Sequence, residues 1–189
     1  MFKKLLQWDK EAFIYLNNLG SEQYDAFWIA ITNINFWIPL YLLFGFLFFY
    51  KTPFREGLIK LITVVSLTLF IVLITHLTKD LVGRLRPNNN LEINTLIRVL
   101  KNPTDYSFFS GHAASSFSIT FSVFLLLRKK YRLTVLFFIW PILFTASRIY
   151  VGVHFPMDII AGAIVGILLA VLFYSLYNRF LSRNKYFNT

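Results

Sequence analysis

The chain has no cysteine, only three histidines, and nine acidic residues among 189. Without cysteine there is neither a disulfide framework nor a thiolate metal site, and the redox compartment leaves no mark on the sequence. Charged residues make up 15% of the chain, where a soluble domain carries about a quarter. No repeat or low-complexity tract divides the chain, so a single domain over 1–189 is expected. A cleaved signal peptide is not expected either, because Asp9, Lys10 and Glu11 cut short the apolar stretch that follows Lys3 and Lys4.

Apolar side chains are abundant: 57% of residues are hydrophobic, with 22 Phe and 10 Tyr. That much apolar surface overfills a single core, and the surplus needs lipid. Five apolar runs bounded by polar residues or charge predict membrane spans at 35–50, 61–78, 113–127, 133–146 and 159–177. The second, 18 residues long, gives ~27 Å of helix. The third and fourth are short and must draw on Gly111, His112, Ile149 and Tyr150. Over 1–34, apolar positions at helical spacing are interrupted by Asn17, Asn18, Gly20, Ser21 and Asp25. Two interfacial amphipathic helices around a Gly-Ser turn are expected there, with a sixth span as the alternative. Leu91, Ile93, Leu96, Ile97 and Leu100 predict another short interfacial helix before Asn102-Pro103. The expected fold is an all-α integral membrane bundle: interfacial helices over 1–34, a catalytic bundle over 35–178 and a basic tail over 179–189.

Lysine and arginine set the orientation. Five spans put 51–60, 128–132 and 178–189 on one face, and four of the five residues at 128–132 are basic. That face is expected to be cytoplasmic, with the C-terminus on it. The net charge of +10 then reflects topology and contact with anionic lipid rather than nucleic-acid binding, since no basic soluble domain remains.

On the other face, hairpin topology gathers ionisable groups from three places. Lys79 and Arg86 close the second span, Ser110, Gly111 and His112 open the third, and Arg148, His154 and Asp158 lie between the fourth and fifth. Charge near a bilayer is costly, so such a gathering marks a functional site. Three fixed cations suit the oxygens of a phosphoryl group. Ser110 and Gly111 precede a helix N-terminus, which favours an anion. His154 and Asp158, four apart, share one helical face. Asp158 then orients His154, whose free lone pair makes it a nucleophile through a phosphohistidine, while His112 protonates the leaving oxygen. The two histidines need opposite protonation states, which predicts a bell-shaped pH–rate profile.

Plainer readings hold elsewhere. Arg84 snorkels at a span end. Ser110 caps a helix as well as meeting phosphate. Ser115, Ser118 and Ser122, like Gly162 and Gly166, serve close helix packing. His76 and Asp80 form a helix-end pair; with His154 and Asp158 they offer a metal site on paper, but none is expected.

These residues resemble the type 2 phosphatidic acid phosphatase family of membrane lipid phosphatases, which share their core with vanadium haloperoxidases. The family's Lys, six residues, Arg-Pro is Lys79, Arg86 and Pro87 here. Its Pro-Ser-Gly-His is present as Phe109, Ser110, Gly111 and His112, with Phe in place of Pro. Its Ser-Arg, five residues, His, three residues, Asp is complete as Ser147, Arg148, His154 and Asp158. The resemblance implies a helical bundle and hydrolysis of a phosphate ester or anhydride without metal or other cofactor. Phe109 removes a rigid φ before the phosphate turn, which bears on preorganisation more than on chemistry.

The expected function is a bacterial plasma-membrane lipid phosphatase acting on the outer face. The small size and short loops fit a polyprenyl or a phospholipid phosphatase; candidate substrates are undecaprenyl pyrophosphate, placed first, phosphatidylglycerol phosphate, phosphatidic acid and lipid A phosphate. Its partners are then membrane lipids, not nucleic acid. The alternative is a non-catalytic binder or transporter of anionic lipid on a degenerate core, for which only Phe109 speaks. Haloperoxidase activity is a third reading, disfavoured in a small membrane-embedded chain.

Overall fold

A computed structural model of the chain describes residues 1–183. The regular elements among them are all helical: α1 (Phe2–Asn18), α2 (Asp25–Ile31), α3 (Ile38–Phe49), α4 (Phe54–Val82), α5 (Gly111–Leu127), α6 (Ile139–Tyr150) and α7 (Pro156–Arg183). Short 3-10 turns lie at Glu22–Tyr24, Ile34–Trp37, Pro87–Asn89 and Arg132–Phe138. All five expected apolar runs lie mostly in helix. Phe54–Asn89, Arg132–Tyr150 and Pro156–Ser182 are long and apolar enough to cross a bilayer. Glu22–Ile31 and Ile34–Phe49 make a fourth candidate if the pair, bent by 67°, is one span, and Gly111–Leu127 is a shorter apolar helix. As expected, α5 begins at Gly111 and α6 reaches Tyr150. Of the basic tail, 179–183 continues α7, and Lys185 lies outside the described residues.

The centre is α5. Its buried positions over the first three turns are small: Ala113, Ala114, Ser116, Ser118 and Thr120. Small residues let backbones approach where lipid supplies no hydrophobic drive. A Cβ on Gly162 would meet the Ser110 carbonyl oxygen at 2.5 Å, and one on Gly166 would collide with that of Ala114. The GAIVG face of α7 therefore seats directly on the backbone of α5. Larger side chains fill both flanks, with Phe44, Phe48, Trp140 and Phe144 on one and Leu67, Ile71 and Phe109 on the other. Outward positions such as Leu69, Leu73, Leu168 and Leu172 are exposed, as on a lipid-facing surface.

Local signals aim the connections at one end. Gly83, at φ 62°, ends α4 in a left-handed cap whose N–H donates to the Lys79 carbonyl at 2.9 Å. Residues 84–89 then turn across the bundle instead of continuing outward. Pro156 opens α7, and the Ser110 N–H donates to the Asp158 carbonyl at 3.0 Å, joining the starts of α5 and α7.

One expectation is corrected. Residues 91–100 form turns, not a helix. The Leu96 N–H closes a local turn on the Ile93 carbonyl at 2.9 Å, but further along the Arg98 N–H donates to Asn17 Oδ1 at 2.7 Å and the Leu100 N–H to the Val151 carbonyl at 3.2 Å. The expected two helices around Gly20 and Ser21 form as α1 and α2, and α1 turns polar Asp9 and Asn17 inward with Phe13 between them, one turn apart, while Trp8, Tyr15 and Leu16 are exposed. The Asn17 amide donates to the carbonyls of Arg98, Ile149 and Tyr150 at 2.9–3.1 Å.

Candidate active site

The C-terminus of α4, the N-termini of α5 and α7 and the end of α6 meet at one end of the bundle. They bring together Lys79, Arg86, Ser110, Gly111, His112, Arg148, His154 and Asp158. His154 lies in the buried loop between α6 and α7 and is 1% exposed. Its Nε2 stands 2.9 Å from Arg86 Nη1. An arginine only donates, so this contact makes Nε2 the acceptor and places the ring proton on Nδ1. Nδ1 faces Asp158 Oδ2 at 3.5 Å and has no hydrogen-bond partner. The His-Asp pair is thus aligned as its spacing predicts but is not hydrogen-bonded. Burial, followed by the charges of Arg86, Arg148 and Lys79, holds the His154 pKa well below its ordinary value of 6.5, so the imidazole is neutral near pH 7 and its lone pair is free of a proton.

Asp158 is fully buried and accepts more than the sequence foretold. Arg84 Nη1 reaches its Oδ1 at 2.7 Å, while Ser107 Oγ at 2.7 Å and the Phe155 N–H at 3.0 Å reach Oδ2. Arg84 does not snorkel. It turns inward over the Phe155 ring at 4.1 Å, and its other branch meets Asp9 of α1 at 2.6 Å. Asp9 in turn accepts the Met157 N–H at 2.9 Å. An unbroken chain of charge therefore runs from α1 to the carboxylate beside His154.

The cations converge on one space. Arg86 Nη1 also donates to the Val153 carbonyl at 2.9 Å, and Nε to the Asp105 carbonyl at 2.9 Å. Arg86 Nη2 grips both carboxylate oxygens of Asp105 at 3.0 Å, and Lys79 pairs with the same carboxylate. Asp105 is half-exposed. Burial raises its pKa, but the bonds from Lys79 and Arg86 outweigh that and hold it at about 2. Arg148 is buried; its Nη1 donates to Thr32 at 2.5 Å and its Nε has no partner. Ser110 caps α5, accepting the Ala113 N–H at 3.4 Å. A Cβ on Gly111 would press on the Thr75 methyl at 3.1 Å. The His112 ring packs on Phe144 with centroids 4.9 Å apart. Lys79, Gly111 and His112 line one end of a cavity of about 530 Å³, otherwise walled largely by apolar side chains such as Ile71, Val72 and Ile119.

Phe109 does not leave the turn before α5 loose. Its ring is buried with Leu67, Ile71, Ala114 and Ala170. The segment before it is held by the Ser107 N–H on the Arg84 carbonyl at 2.8 Å. Among the described residues no three His, Asp or Glu gather in a metal-ligating group, and His76 and Asp80 are exposed on α4. Sequence reasoning missed Asp105, Ser107, Arg84, Asp9 and Thr32. Arg84 alone carried a signal, a charge just past a left-handed glycine.

Known proteins resemble the chain in sequence and in fold. It is 27% identical to a lipid A 4'-phosphatase of Bacteroides thetaiotaomicron over 187 residues, covering 97% of this chain and 83% of the relative. An undecaprenyl-diphosphatase of Sulfolobus acidocaldarius is 37% identical over 130 residues, covering 69% of this chain and 58% of that one. The crystal structure of a transmembrane PAP2-type phosphatidylglycerolphosphate phosphatase from Bacillus subtilis superposes with a TM-score of 0.73 at 20% identity, over 93% of this chain and 87% of that one, a likeness of fold. The sequence model of the PAP2 superfamily matches residues 57–182, the stretch that holds every residue from Lys79 to Asp158, and the chain belongs to that family.

Proposed function

We propose that the chain, working as one unit, hydrolyses a phosphate monoester or pyrophosphate of a membrane lipid through a phosphohistidine on His154. The observation that carries this is a neutral, buried His154 whose Nε2 points into a cluster of cations at the head of an apolar cavity. The phosphoryl oxygens take Lys79, Arg86, Arg148 and the amides at the start of α5, displacing the Asp105 carboxylate. Arg86 shifts its donor from Nε2 to the phosphate, and the freed lone pair attacks phosphorus. The P–O bond to the lipid breaks, and His112 gives its proton to the leaving oxygen. Water then attacks phosphorus and gives a proton to His112; the P–N bond breaks with its electron pair returning to Nε2, releasing inorganic phosphate and neutral His154. Asp158, 3.5 Å from Nδ1, stabilises the charge that the ring gains as the P–N bond forms. The scheme uses no metal: three side-chain cations neutralise the transferring group.

The substrate's tail stays in the apolar cavity and its phosphate reaches the cations from the membrane edge. The relative that spans nearly the whole chain is a lipid A 4'-phosphatase and the one with higher identity over the core is an undecaprenyl-diphosphatase. Lipid A phosphate and undecaprenyl pyrophosphate are therefore the first substrates to offer, ahead of phosphatidylglycerol phosphate and phosphatidic acid. The basic loops at 51–60 and 128–132 support a site on the outward face of a bacterial plasma membrane, with the C-terminus inside. The test is phosphate release by the purified chain in detergent with EDTA, on these four lipids in parallel. Release by the wild type with a loss of roughly a thousandfold or more in His154→Ala is expected. Activity that survives His154→Ala, or that EDTA abolishes, overturns the scheme.

A further inference from the structure

We infer that a second site, for the phosphate of an anionic phospholipid, lies at the opposite end of the bundle. A cavity of about 420 Å³ opens between the start of α4, the end of α5 and the last turns of α7. Four lysines line it, Lys51, Lys60, Lys129 and Lys130, against one carboxylate, Glu56. Lys60 is 5% exposed and pairs with Glu56 at 2.6 Å. Lys130 is pinned at the rim: its Nζ donates to the carbonyls of Tyr50 at 2.5 Å and Lys51 at 2.7 Å and to Thr52 Oγ1 at 2.8 Å. Those neutral acceptors fix its position without cancelling its charge. Uncompensated positive charge in a half-enclosed space is costly, and an anion offsets that cost.

The rest of the wall selects a lipid over a free ion. Leu125, Leu126 and Leu181 line the same cavity and offer an apolar surface for an acyl chain, and Tyr177 adds a buried phenol. Lys60 and Lys79 lie 19 positions apart on α4, roughly 28 Å at the helical rise, about the thickness of the hydrocarbon core. The two phosphate sites thus face opposite leaflets. All three histidines of the chain, His76, His112 and His154, belong to the far end. The lysine cavity therefore binds phosphate and does not cleave it. A lipid held there ties α4, α5 and α7 together at the end away from the chemistry.

The experiment uses the full chain in neutral detergent, with lipid retention read by native mass spectrometry and Tm read in parallel. Phosphatidylglycerol, phosphatidylcholine and inorganic phosphate are offered separately to the wild type, Lys60→Gln, Lys129→Gln and, as a control on an exposed lysine of α1, Lys3→Gln. Retention of phosphatidylglycerol over phosphatidylcholine with a rise in Tm is expected. Affinity should fall roughly fivefold for each cavity lysine removed and stay at the wild-type level in Lys3→Gln. Lys129→Gln, exposed on the rim, carries the test if Lys60→Gln does not fold. Stabilisation by inorganic phosphate alone, lost in the same two variants, would keep the anion site but overturn its assignment to lipid. Retention indifferent to both cavity lysines, or equal for the two lipids, overturns the site.

Discussion

The Asp105 carboxylate rests on Lys79 and Arg86, two of the cations proposed to hold the phosphoryl group. Substrate and product phosphate must therefore compete with it. Asp105→Asn removes the competing charge while keeping the shape of the loop, so inorganic phosphate should inhibit more tightly, by roughly threefold. The effect is modest because half of that carboxylate is exposed and such pairs contribute under about 1 kcal/mol. The Ki for phosphate checks this, and an unchanged or weaker Ki would show that the carboxylate does not compete. His154 gives a second expectation. Its pKa in the folded chain lies below the ordinary 6.5, so below pH 6.5 the unfolded chain binds the proton that the folded chain refuses. The stability gained from the neutral ring is full above about pH 6.5 and declines as pH falls towards the depressed value. Tm should drop between pH 7 and pH 5, and less steeply in His154→Gln. The proposed catalytic side chains were legible because three short motifs keep their spacing. Their partners were not. Asp9 reaches Arg84 across 75 positions and Thr32 reaches Arg148 across 116, and no local period records a contact of that range.

At the scale of the element, close packing of α5 on α7 sets the geometry of the site, because Ser110 and Asp158 open those two helices. Gly166→Ala forces a methyl into the Ala114 carbonyl, and the helices must part. A loss of about 1–3 kcal/mol is expected, with Tm lower by several degrees and reduced phosphate release. Gly45→Ala on α3, whose added Cβ meets nothing within 4 Å, is the control and should leave Tm unchanged or slightly raised through better helix propensity. A similar fall in both variants would mean that helix contact at Gly166 is not the cause. The GAIVG face could be read from sequence because small residues four apart have one good use in a bundle. Helix α1 and residues 91–100 were harder. Both show apolar residues at helical spacing, but the backbone of 91–100 closes a local turn, Leu96 N–H on the Ile93 carbonyl, and then bonds to Asn17 and Val151. The side of α1 that docks is the one carrying Asp9 and Asn17, a choice that long-range partners make and hydropathy does not.

For the whole molecule, the question is how a water-seeking phosphate and a lipid-seeking tail occupy one chain. The cavity that begins at Lys79 and His112 shares Tyr41, Thr68 and Ile119 with a second, of about 240 Å³, which continues between α3, α4 and α5 towards Phe48 and Leu61. The two form an apolar track down the bundle from the cations. A long tail laid in it contributes binding energy far from phosphorus, which the enzyme can use to position the head group. Ile119, half-buried where the two cavities join, is the place to block it. Ile119→Trp should lower kcat/KM for a long-chain lipid phosphate by roughly tenfold, the scale of losing one well-filled apolar contact. It should leave a short, water-soluble phosphate monoester within about twofold of wild type, since no group that touches phosphate has moved. Equal losses on both substrates would mean that the tryptophan disturbs α5 and the His112 it carries, and equal retention would put the tail outside the track, on the lipid-facing surface of the helices.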